Sequence, residues 1–227
     1  MSRNCDVHVA NMIQDVNRRQ GATIEPALVD ATAAAISRWG LADVTLERVA
    51  TQAGLSRATL HRRGVTRDAL VDALTARAAE EFRAAVWPAI TGPGTAAERL
   101  RAALDGLCAA ADAHLELLAG LFLARGEVFH EPGPGTLTID TFAGPFERLL
   151  RDGALDGSLR DVPPTVTATV LFNTAGWGYV HLRASHRWPA QRARTAVIDL
   201  VLRGLLVGES PGAADHKAAA IDVNDIG

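Results

Sequence analysis

Apolar side chains recur at intervals of three and four residues in almost every segment of this chain between Gly and Pro punctuation, and convincing period-two alternation is missing. The pattern predicts an all-α protein of about nine helices. Residues 24–39 place Leu28, Ala31, Ala35, Ile36 and Trp39 on one side and stop at Gly40. Thr45 is placed to cap a second helix, in which Leu46, Val49, Ala50 and Ala53 follow the i, i+3, i+4, i+7 rule and Glu47 favours the first turn. Gly54, which turns left-handed at little cost, closes it. Ser56 then caps a third helix of about seven residues whose only large apolar side chain is Leu60. A helix so short does not stand alone, so its neighbours must hold it.

Thr66 caps a longer fourth helix striped by Leu70, Leu74, Ala78, Phe82 and Val86 and predicted to end near Trp87-Pro88. Thr95 and Glu98 form a capping box ahead of Leu100, Leu104, Leu107, Cys108 and Ala111. A helix around LELLAGLFLA precedes the loop FHEPGPGT, another carries Phe142, Phe146, Leu149 and Leu150, and the last two cover roughly 163–187 and 190–208. Within these, residues 164–182 hold no Asp, Glu, Lys or Arg, yet their Thr, Asn, Gly and His argue for a buried helix or an oligomer interface over a membrane span. Four parts result: a flexible arm (1–23), a helix-turn-helix domain (24–70), a larger effector-binding and dimerisation domain (71–208) and a small, polar, disordered tail (209–227).

A chain of 227 residues, 48% of them hydrophobic, is long and apolar enough to bury a core. Cys5 and Cys108 lie far apart without metal-type spacing, so neither a disulfide framework nor a metal or other cofactor is expected. The N-terminus lacks an apolar stretch of signal length, and a cytoplasmic protein is expected. No phosphate loop, nucleophile elbow, HExxH or paired cysteines occur, which argues against an enzyme. The net charge of −3 is unevenly spread: residues 18–70 carry eight arginines against five acids, a balance of +3, while residues 71–227 sum to −5. A basic head on an acidic body suits a nucleic-acid binder. Arginine in place of lysine and abundant alanine fit a bacterial source of high GC content.

Helix, glycine turn and short polar helix make up a helix-turn-helix. Held by Leu55 and Leu60, the short helix leaves its start free for a major groove, where Arg57, Ala58 and Thr59 meet base edges. Arg62, Arg63 and the helix N-termini at Thr45 and Thr66 meet phosphates. Arg57 is the strongest base reader, because a guanidinium makes two hydrogen bonds to guanine. Arg18 and Arg19 either reach an adjacent groove as a basic arm or form a solvated tail.

Residues 45–70, TLERVATQAGLSRATLHRRGVTRDAL, resemble the DNA-binding signature of the tetracycline-repressor (TetR) family of bacterial regulators: a Thr-led helix, AG(V/L)S, a (G/A)TLY helix, then aromatic, Lys, Glu and Leu. The resemblance implies a homodimer on a double-stranded DNA operator, a repressor released when a small molecule binds the C-terminal domain. Carried onto matching positions, it implies that Thr45 and Arg67 hold phosphates, and that Arg57, Ala58, Thr59, His61 and Arg63 of the reader helix opened by Ser56 face the groove. His61 stands where the family has Tyr, Gly64 where it has a packing Phe, and Arg67-Asp68 where it has Lys-Glu. Gly64 therefore implies lost packing and a head of greater backbone freedom.

In the larger domain the aromatics Phe122, Phe142, Phe146 and Trp177, with Phe129 and Phe172, mark either plain core or an effector pocket. Asn173 is the favoured polar contact, ahead of His114, His130 and His181, and the expected effector is hydrophobic with little charge. Ala175, Gly176 and Gly178, with Ile198, Val201, Leu202, Leu205 and Leu206, are expected to form the dimer interface. The alternative is a helical ligand-binding or interaction protein whose degenerate helix-turn-helix no longer recognises an operator.

Overall fold

The computed structural model describes residues 24–124 and 139–207, and these form nine helices. They are α1 (Pro26–Asp43), α2 (Leu46–Gln52), α3 (Arg57–Arg62), α4 (Arg67–Thr91), α5 (Ala96–Ala113), α6 (Leu115–Ala124), α7 (Ile139–Asp156), α8 (164–184) and α9 (Ala190–Leu205). Helix α8 is continuous but runs as Pro164–Phe172, a π-helical stretch Asn173–Trp177, and Gly178–Ala184. Among the described residues the only β pairing is one isolated antiparallel bridge, Leu159 to Leu206. The predicted arm with Arg18 and Arg19, the tail, the loop FHEPGPGT and its Phe129 and His130 lie outside the described residues.

Four helix starts follow from single side chains. Thr45, Ser56, Thr66 and Thr95 each accept a backbone amide three residues on, and Thr95 completes its capping box with Glu98. The second end of α5's cap comes from a distant segment: Asp156 accepts the Ala96 amide at 2.7 Å and Ser158 the Ala97 amide at 3.1 Å. These bonds hold the Asp156 carboxyl below its ordinary 3.8, the hydrogen bonds from Ser158 and Ala96 being the main causes.

Three predicted ends are corrected. Helix α4 passes through Pro88 to Thr91 instead of stopping there. Ala84, four residues before Pro88, is exposed, so the carbonyl that the ring deprives of its donor can turn to water. Helix α8 ends at Ala184 and α9 at Leu205, each three residues short of expectation, the second because Leu206 turns extended into the bridge with Leu159.

The apolar side chains gather into two cores. One, in the head, joins Leu28, Ile36, Val49, Leu60, Leu70 and Leu74 from α1 to α4. The other, in the body, is built on α4, α5, α7, α8 and α9 around Phe82, Leu100, Leu104, Phe146 and Tyr179. Helix α4 contributes to both, and Leu117 and Leu121 of α6 enter the head core. At this junction α6 comes so close to α1 that a Cβ on Gly120 would lie 2.4 Å from the Leu41 Cβ. The expected dimer residues are corrected as well: Ala175, Gly176, Ile198, Leu202 and Leu205 are buried within their own chain. The apolar side chains that α8 and α9 turn outward are Val166 (65% exposed), Val170 (59%) and Leu200 (72%). Among the described residues no helix is long and apolar enough to cross a membrane.

Candidate nucleic-acid interface and apolar cavity

Two identical helix endings frame the short helix α3. Gly54 and Gly64 both take φ +67°, the left-handed conformation in which a side chain is strained. In each, the glycine amide bonds back three residues, to Thr51 O (3.1 Å) or His61 O (3.0 Å). The following amide bonds back five, Leu55 to Ala50 O (2.9 Å) and Val65 to Leu60 O (3.1 Å). The second ending explains Gly64: it is the residue that terminates α3 and drops Val65 into the head core against Leu60, where the family has an aromatic ring. At its start, Ser56 Oγ accepts the Thr59 amide at 3.1 Å and shares a hydrogen bond of 2.9 Å with the Thr59 hydroxyl.

With Leu60 fully buried below, α3 turns Ser56, Arg57, Ala58, His61, Arg62 and Arg63 to solvent, and Thr59 is half-buried. Among the described residues Arg57 and Arg62 have no ion-pair partner. Two other arginines expected at the DNA are engaged within the protein. Arg63 pairs with Glu25 at the start of α1, 3.1 Å away on the surface. Arg67 donates from Nε to Val44 O (2.9 Å) and from Nη2 to Leu41 O (2.7 Å), with Asp68 at 3.2 Å, so it latches α4 to the end of α1. Arg48 donates to Asp43 O and, with Arg38, lies over the Trp39 ring. Thr45 is exposed at the start of α2.

Between the two cores lies a cavity of about 80 Å³ bounded by α4, α5, α6, α7 and α8. Aromatic rings make much of its wall: Phe142 stacks on Phe172 at 5.2 Å, and Phe82 lies 5.3 and 6.0 Å from the two of them. Of the predicted pocket residues, Phe142 and Trp177 line it. Phe122 is 48% exposed and packs on Trp177 at 5.3 Å. Phe146 is fully buried behind Phe172, in the core and not on the wall. Asn173 faces away: it is exposed, and its side-chain amide donates to Thr169 O at 2.8 Å, satisfying a carbonyl just ahead of the π-helical stretch. That stretch brings Gly176 and Trp177 onto the wall. Phe172, one of the aromatics expected in core or pocket, also lines the cavity, and so do Phe82 and Thr75, which were not expected there. The signal for Thr75 was present, as a hydroxyl between Leu74 and Ala78 of an apolar stripe.

Charged groups of the body pair with one another away from this wall. Asp112 accepts the Tyr179 hydroxyl at 2.6 Å and Arg183 Nε at 2.7 Å, and Arg183 also donates to Trp188 O. Burial, then the Asp112 contact, pushes the Tyr179 hydroxyl up, while Asp112 raises Arg183. Burial pushes the Cys108 thiol up to about 12, which makes it an inert core residue. His114, buried at the joint of α5 and α6, places Nε2 2.7 Å from Glu81 of α4, and His181 packs edge-on to His186 outside the cavity.

Residues 28–74 match the family model for bacterial regulatory proteins, tetR family. No curated protein matches the chain in sequence. Solved structures share the fold. The ketosteroid transcriptional regulator KstR2 of Mycobacterium tuberculosis superposes with a TM-score of 0.62 at 18% identity, over 83% of this chain and 98% of that one. SmeT, the repressor of the Stenotrophomonas maltophilia multidrug efflux pump SmeDEF, gives 0.63 at 18%, over 84% and 94%. A protein with unknown function from Rhodococcus sp. RHA1 gives 0.62 at 24%, over 83% and 100%.

Proposed function

We propose that this chain, a member of the tetR family of bacterial regulatory proteins by its residues 28–74, is a sequence-specific transcriptional repressor that a small hydrophobic effector releases from its operator. Residues 24–70 are the DNA-binding head, and residues 71–208 are the effector-binding and dimerisation body. One observation carries the reading: α4 shares the head core with Leu60 of the reader helix α3 and also forms a wall of an apolar cavity. A molecule entering between α4 and α6 touches the two elements on which the head rests. The ligand must prefer one arrangement of these helices to shift the equilibrium. Repression is also the role named for SmeT.

On DNA, Arg57 reads a base, Ala58, Thr59 and His61 face the groove, and Ser56, Arg62 and Thr45 meet the backbone. Arg63 reaches DNA by leaving Glu25. Arg67 acts chiefly by positioning α4, with its outer face toward phosphate. The homodimer forms through the outward faces of α8 and α9, where Val166, Val170 and Leu200 leave water.

Fluorescence anisotropy of the purified protein on DNA from its own upstream region and on a scrambled duplex, at about 50 and 200 mM salt, tests the proposal. A preference of at least roughly a thousandfold for one sequence, lost with Arg57→Ala, is expected. Equal, salt-sensitive binding to every duplex in a random-sequence selection would overturn it in favour of a helix-turn-helix that no longer reads sequence.

A further inference from the structure

We infer that the molecule taken by the cavity is an uncharged aromatic hydrogen-bond donor, of the class of phenols and aryl alcohols, and that the Thr75 hydroxyl oxygen of α4 accepts its hydrogen bond. This rests on the regulator reading above, because it names the effector chemistry of the same cavity.

The wall sets the charge. Among the described residues no Asp, Glu, Lys, Arg or His lines it, so a carboxylate, phosphate or ammonium would be stripped of water with nothing to pair with. The wall also sets the shape. Phe82, Phe142 and Phe172 lie within 6.0 Å of one another and Trp177 joins them, so a flat ring finds the offset and edge-on partners that aromatic groups favour. At about 80 Å³ the space is smaller than the roughly 150 Å³ that holds benzene in an engineered cavity, so entry displaces a ring. Phe122, half exposed against Trp177, is the ring nearest solvent.

Thr75 sets the polarity. Among the described residues it carries the one hydroxyl on the wall, and that hydroxyl donates to Val71 O at 2.8 Å. A hydroxyl has a single proton, so what Thr75 retains for a ligand is lone pairs alone. A ketone, ether or ester finds no donor at Thr75, whereas an O–H or N–H finds an acceptor. The contact also falls on α4, eight residues from the Arg67 latch.

Equilibrium dialysis at pH 7 of the full chain with 2-naphthol, 2-methoxynaphthalene and 2-naphthoate tests the inference. The three share a ring system and differ in donor and charge. Naphthol is expected to bind about tenfold more tightly than its methyl ether, the worth of one hydrogen bond, and naphthoate not to bind. Thr75→Val should bring naphthol down to the ether's affinity, and Thr75→Ser should keep the preference. Equal binding of naphthol and ether to the native protein would overturn the donor assignment and leave the cavity standing as an effector site. Naphthoate binding as well as naphthol would overturn the uncharged one. Binding of none of the three would remove the cavity as an effector site, and with it both this inference and the effector half of the regulator reading.

Discussion

Arg67 bonds two carbonyls, Leu41 and Val44, from two different nitrogens. A lysine ammonium carries the same charge but lacks the spread fork that spans both acceptors. Arg67→Met is therefore expected to destabilise the protein by about 1–3 kcal/mol, and Arg67→Lys to recover only part of that. Urea titration reads both; a lysine variant of native stability would mean that charge alone matters at this position. Gly64→Phe restores the ring that the family signature carries, yet φ is +67° there and a Cβ would meet nothing within 4 Å. The substitution should cost roughly 1–2 kcal/mol in chemical denaturation, the strain of a left-handed side chain. At this scale the capping residues were legible, because a cap and its amide lie three positions apart. The latch of Arg67, the pair of Arg63 with Glu25 and the outward turn of Asn173 were not. Each of the first two spans more than twenty residues of sequence, and the third depends on a π turn that periodicity does not reveal.

Among the elements, α5 shows how a helix start draws on another part of the chain. Thr95 and Glu98 form the local half of its cap, and Asp156 at the end of α7 supplies a further acceptor. Because the folded protein holds Asp156 below its ordinary 3.8, the carboxylate contributes stability that is fully present above that value and is lost as pH falls through the depressed one. The stability gap between native protein and Asp156→Ala should thus be constant at neutral pH and close in acid; a gap independent of pH down to acid unfolding would remove the carboxylate from the cap. Helix α4 was legible in its stripe but not in its length. Pro88 is a stop signal in sequence, and only its place on an exposed face lets the helix continue. The last two helices were legible as apolar and misjudged in direction, since an all-round apolar pattern does not say which side meets the body core. The outward side, with Leu200 at 72% exposure, is the one whose change should matter to assembly. Leu200→Arg is expected to shift the protein from dimer to monomer in sedimentation equilibrium while its helical circular dichroism stays unchanged.

For the whole molecule, head and body meet through side chains that leave little slack. Adding one methyl at Gly120 forces α6 and Leu41 apart from a 2.4 Å contact, and Leu41 is also the residue whose carbonyl Arg67 holds. Gly120→Ala should lower thermal stability by about 1–3 kcal/mol, the usual cost of overpacking, and weaken operator binding beyond what the lost stability explains. Calorimetry and anisotropy on the same preparation separate the two effects; native DNA affinity in a destabilised variant would confine the contact to packing.

Leu117 and Leu121 belong to α6 by sequence and to the head core by packing. A chimera that cuts after α4 and splices this head onto a foreign body would leave a hole where two leucines belong, so a working graft has to carry α6 along. The unit that moves between proteins is therefore discontinuous, and a helix of the body is part of what makes the head fold.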